Sequence, residues 1–166
     1  MRDHWPLLLA FSLGALACGK SADTLSFANP MEAAEAGAAA LAKGDAPVAI
    51  AAFEKAAEAT EPQAKLQALT GLFKAQLAAA KDAEAIAAMN RMVAECKPLL
   101  APESLNNLAT AALNAKNAVV ADAVVNKALE LFPEAKEQFA KAVSAVDLLK
   151  TSGPGADLSS LGYTGN

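Results

Sequence analysis

The sequence predicts an all-α fold, an array of three helical hairpins closed by a capping helix, and three observations carry that prediction. Alanine occupies 44 of 166 positions and aromatics only 5%, a composition rich in helix formers with no β-branched runs of strand type. Prolines at 30, 62, 102 and 133 each suit a first helical residue, where the missing N–H costs nothing. The text AIAAFEKAAEATEP from Ala49 returns as AIAAMNRMVAECKP from Ala85, 36 residues later, and a period in that range marks stacked supersecondary units.

The elements follow in order. Asn29 caps a helix opening at Pro30, and Lys43-Gly44-Asp45 turns the chain so that Asp45 caps a second helix. A helix from Pro62 leads to the turn at Lys81-Asp82, with Asp82 as the next cap. A helix from Pro102 leads to Lys116-Asn117, with Asn117 capping again. The second helices superpose as Ala49, Phe53, Ala56; Ala85, Met89, Met92; and Ala121, Val125, Ala128. Offsets of 0, 4 and 7 lie on one helical face, which is therefore the face each hairpin buries. The turn at Lys81-Asp82 reads one residue short, which leaves the middle unit unfixed in phase, and the helix from Pro62 reads about one turn longer than its counterparts. Ala33 and Ala40 stand where larger residues would fill the first helix, so its packing reads as thin. A last helix from Pro133 to about Lys150 buries Ala135, Phe139, Ala142, Val143, Val146 and Leu149. Residues 151–166, rich in Gly and Ser, read as a flexible tail.

The amino terminus reads as an address. Arg2 precedes an apolar run from Trp5 to Ala17, and thirteen helical residues reach only about 20 Å, short of the roughly 30 Å hydrocarbon layer. Residues 1–17 are expected to be a secretory signal. Ala17-Cys18 resembles the end of a bacterial lipoprotein signal, which implies acylation of Cys18, anchoring of the chain to a membrane by that lipid, and 18–29 as a tether. Gly19 after the cysteine resembles the pattern of lipoproteins placed in the outer membrane, facing the periplasm. Ala15-Leu16-Ala17 also forms an A-x-A site, and cleavage there releases a soluble periplasmic or secreted protein with a structural or ligand-sequestering role.

AKGDAPVAIAAFEKAAEATEP and AKNAVVADAVVNKALELFP, with their small, bulky, small pattern and closing proline, resemble the tetratricopeptide repeat. The resemblance covers 30–133, places 30–150 in one helical-repeat domain, and implies a non-enzymatic protein-interaction module. In that family the first helices line a concave groove for a peptide or partner helix. Transferred to this chain, the groove is Met31, Ala34 and Ala38, then Gln67, Thr70 and Lys74, then Asn106, Thr110 and Asn114. It runs from apolar to amide-lined, and amides both donate to and accept from an extended backbone. Leu25 and Phe27 in the tether compete for the same apolar strip if the tether folds over it. The Lys and Asn clamp of chaperone-binding members has Ala34 and Ala38 at its first positions, which disfavours a terminal carboxylate as ligand. Envelope lipoproteins with such repeats serve in outer-membrane, pilus or secretion assembly, so the resemblance implies an envelope protein or peptide segment as partner.

Chemistry is sparse. The only His, His4, lies in the signal, so the mature chain has no imidazole base or metal ligand, and neither catalytic residues, metal nor cofactor is expected. A net charge of −4, from 14 basic and 18 acidic residues, and a single Arg past the signal, Arg91, exclude a phosphate-tracking stripe, so no nucleic-acid partner is expected. Cys96 follows Met89 and Met92 on the apolar face and reads as a packing residue. Glu54, Glu58 and Glu61, interspersed with Lys55 and Lys65, read as a solvated face.

Overall fold

Capped, alanine-rich segments fold into helices whose ends fall where side chains and prolines satisfy the backbone. The computed structural model describes residues 25–163. Among these residues the helices are α1 (Pro30–Ala42), α2 (Ala46–Ala56), α3 (Pro62–Ala78), α4 (Asp82–Cys96), α5 (Pro102–Asn114), α6 (Ala118–Leu131) and α7 (Ala140–Ser152). Short 3-10 turns occupy Lys97–Leu99, Pro133–Phe139 and Ser159–Leu161, and no strand occurs among the described residues. None of these helices is long and apolar enough to cross a membrane.

Three of the expected caps form. Asn29 accepts from the Glu32 N–H at 2.9 Å, Asp45 from the Val48 N–H at 3.3 Å and Asn117 from the Val120 N–H at 3.0 Å. Asp82 does not cap: it is the first residue inside α4, with Lys81 at the cap position and no side-chain cap bond. Its carboxylate instead accepts from Asn117 Nδ2 at 2.7 Å, linking the start of α4 to the start of α6.

The displaced cap has a simple cause. The hairpin turns reverse at Gly44, Ala80 and Lys116, all with positive φ (75, 54 and 53°) and 36 residues apart (80−44 and 116−80). At each, the left-handed residue donates back to Leu41, Leu77 or Leu113, and the next residue donates to Ala40, Gln76 or Ala112. This pair of bonds satisfies the last carbonyls of the preceding helix. The turn is the same length three times over, so the apparent shortening at Lys81-Asp82 came from aligning lysines rather than left-handed residues. The additional turn of α3 lies at its amino end: Pro62 sits four residues before Leu66, the position equivalent to Pro30 and Pro102 (66−30 and 102−66).

α1 packs on α2, α3 on α4 and α5 on α6, while α1, α3, α5 and α7 are neighbours in that order and α4 meets α6. The face expected to be inward is inward, with Ala49, Phe53, Ala56, Ala85, Met89, Met92, Ala121, Val125 and Ala128 all buried. The first hairpin is filled more tightly than Ala33 and Ala40 suggest. The Phe53 ring lies where a Cβ on Gly37 would come within 3.0 Å and one on Gly71 within 2.3 Å. Two glycines on α1 and α3 thus make the space one phenyl ring occupies, and its burial supplies about 2–3 kcal/mol.

Cys96 is buried, its Sγ 3.9 Å from the Pro62 carbonyl, and burial pushes the thiol pKa up. The last helix is not continuous from Pro133: the backbone breaks at Ala135 (φ −94, ψ 17) and α7 begins at Ala140. Residues 151–163 also differ from the expected flexible tail. α7 runs on to Ser152, Gly153 turns the chain at φ 74, and Ala156, Leu158 and Tyr163 are buried in the core. Three apolar side chains spaced through the Gly and Ser residues supply burial that composition alone hides.

A candidate binding groove on α1, α3 and α5

α1, α3 and α5 lie side by side, and their shared surface carries three adjoining clefts. Between α1 and α3 a cleft of about 520 Å³ is lined mainly by apolar groups: Ala34, Ala38, Leu41 and Ala42, with Phe53 and Gly71 beneath. Between α3 and α5 a second, about 560 Å³, is more polar: Gln67, Thr70, Ser104, Asn107, Thr110 and Asn114 line it together with Leu66 and Ala111. A third, about 460 Å³, joins them at the carboxyl ends of the helices through Leu41, Leu77 and Asn114. Lys74 lines all three.

Seven of the nine groove residues expected from the sequence line these clefts: Ala34, Ala38, Gln67, Thr70, Lys74, Thr110 and Asn114. Met31 and Asn106 do not. Met31 is 71% exposed in the first turn of α1, outside the clefts. Asn106 is half-buried and Asn107 takes its place. Steps of four residues advance about 40° around a helix, so Asn106 lies about 80° from Asn114, whereas Asn107, seven residues away, lies within about 20° of it. Spacing by seven was the signal for Asn107, whereas no local signal marked Gly71, whose partner Phe53 comes from a different hairpin.

The polar half has one unmet demand. Thr70 Oγ1 donates to the Leu66 carbonyl at 2.8 Å. Asn114 Oδ1, in contrast, is buried with no donor among the described residues. A buried acceptor left unpaired costs about 1–3 kcal/mol.

Leu25 and Phe27 do not fill the apolar half. They lie with Ala51, Glu54, Lys55 and Arg91, on the α2 and α4 side. That outer side also carries the ion pairs: Arg91 with Glu95 at 2.8 Å and Glu54 at 3.3 Å, and Lys65 with Glu95 at 3.0 Å. The hydrogen bond from Arg91, then that from Lys65, holds the Glu95 carboxyl below its usual range, and the bond to Glu95 raises Arg91. Cys18 and residues 1–17 lie outside the described residues. Comparison of the chain with protein-family models, curated proteins and solved structures gave no match.

Proposed function

We propose that this protein is a non-enzymatic protein-interaction module of tetratricopeptide type, exported and held at the bacterial envelope by acylation of Cys18, whose groove on α1, α3 and α5 holds a segment of another protein. The observation that carries this reading is the groove itself: three adjoining clefts, one apolar and one amide-lined, on a face that Leu25 and Phe27 leave open. The equal 36-residue spacing of Gly44, Ala80 and Lys116 supports the repeat reading, since stacked hairpins need a constant pitch. Protein segments rather than small molecules suit an open groove, because drug-sized ligands are held in concave sites that bury most of their surface.

A photo-crosslinking amino acid placed at Thr110 in the groove and, separately, at Asn90 on α4 tests the reading in cells. Discrete adducts from position 110 and none from 90 are the expected result. Equal adducts from both positions, or none from either, would exclude groove binding. Anchoring is read independently from the mass of the amino-terminal peptide, where an unmodified Cys18 would replace the lipid anchor with a released periplasmic or secreted form.

A further inference from the structure

The groove has an unusual charge composition. Across the chain acidic residues outnumber basic ones, 18 to 14, yet no Asp or Glu lines any of the three clefts, and the single charged side chain lining them is Lys74. Five cations elsewhere are paired: Lys55, Lys65, Arg91, Lys127 and Lys150. Lys74 pairs with no carboxylate among the described residues, as is also true of Lys43, Lys81, Lys97, Lys116, Lys136 and Lys141, but it alone of these lines the clefts. Glu32 and Glu35 on α1 and Glu103 on α5, the acids on the two neighbouring helices, line none of the clefts. Lys74 stands at the junction of the apolar cleft and the amide-lined one.

Resting on the groove reading above, we propose that the occupant is an extended segment of another protein with one Asp or Glu side chain seated at Lys74. Charge complementarity selects that residue: a carboxylate there meets one cation and no competing anion. Small apolar side chains on one side of it fill the Ala38, Leu41 and Phe53 cleft. On the other side the backbone lies along α5, where the exposed Asn107 amide can both donate to it and accept from it. Three helices packed at 8–10 Å span about 20 Å, which about six extended residues cover at 3.3 Å each. The recognised unit is therefore short: apolar, acidic, then polar.

The experiment pans a random library of blocked decapeptides on the purified full chain and on its Lys74→Glu variant, whose exposed position keeps the fold, as circular dichroism would verify. The wild type is expected to enrich peptides with one Asp or Glu beside Ala, Val or Leu. These bind Lys74→Glu about fivefold or more weakly, the upper range for an exposed pair with repulsion added. Lys74→Glu itself is expected to select Lys or Arg at that position. Peptides enriched without charge preference and held equally by both proteins overturn the acidic-segment inference and leave groove binding standing, provided Thr110→Trp blocks them. A parallel library with free carboxyl termini that alone yields binders overturns the side-chain form in favour of a terminal carboxylate. No enrichment in any arm, or binders indifferent to Thr110→Trp, overturns both the inference and the groove reading.

Discussion

Gly71 shows how much can hang on one missing methyl group. A glycine inside a helix ordinarily costs about 0.5–1 kcal/mol relative to alanine, so Gly71→Ala in isolation would stabilise α3. Here the new Cβ would come within 2.3 Å of the Phe53 ring, and the ring or the helix must shift. Overpacking of this kind costs about 1–3 kcal/mol, which reverses the sign. Urea unfolding of Gly71→Ala should give a lower midpoint than wild type, and Gly37→Ala, whose Cβ approaches only to 3.0 Å, a smaller loss. Residue-scale roles were the least legible part of the sequence. Phe53 was readable as a core residue from its place in the repeat, but the notch that receives it is built from two other helices, and no local pattern connects them. Asn107 shares the polar arc of α5 with Asn106 in the sequence, and choosing Asn106 over it by steps of four ignores the drift of about 40° per step.

At the scale of elements, the turns and the outer ion pairs do the joining. Gly44 adopts positive φ freely, while Ala80 and Lys116 do so with a Cβ, at about 1–2 kcal/mol each. Ala80→Gly should therefore raise the melting temperature, the relief being offset in part by the greater freedom of glycine in the unfolded chain, for a net gain of about 0.5–1 kcal/mol. An unchanged or lower melting temperature would contradict the strain. Glu95 links α3 and α4 by accepting from Lys65 and Arg91, and Arg91 reaches α2 through Glu54. Its folded pKa lies below the ordinary 4.5, so the stabilisation is complete above that value and is lost as pH falls through the depressed pKa. Glu95→Gln should be less stable than wild type by up to about 1 kcal/mol at neutral pH, with the gap closing in acid melts below about pH 4.5 and shrinking in high salt. Caps and prolines were legible because their chemistry is local: Asn29, Asp45, Asn117, Pro30, Pro62 and Pro102 all act where the sequence places them. Asp82 misled because a capping residue type one position late becomes an ordinary first-turn acid.

For the whole molecule, the open question in the sequence was where the core stops. Deleting 153–166 removes Leu158 and Tyr163, whose burial is worth about 1.5–3 kcal/mol each before any relaxation. The truncated protein should melt about 5–10 °C lower, read by circular dichroism; an unchanged melting curve would return the segment to the status of a tail. Low-complexity composition concealed that docking, since among the described residues of the stretch it rests on Ala156, Leu158, Leu161 and Tyr163. The groove face, in contrast, was largely readable from the 36-residue recurrence, because a constant pitch puts equivalent helix faces side by side. The Phe53 wedge carries this to the molecular scale. One ring both fastens the first hairpin to α3 and forms part of the floor of the apolar cleft, so an occupant of that cleft rests on a joint. Binding is then felt as local stiffness: amide hydrogens of α1 and α2 exchange more slowly when the cleft is filled, while those of α6, remote from it, keep their rates.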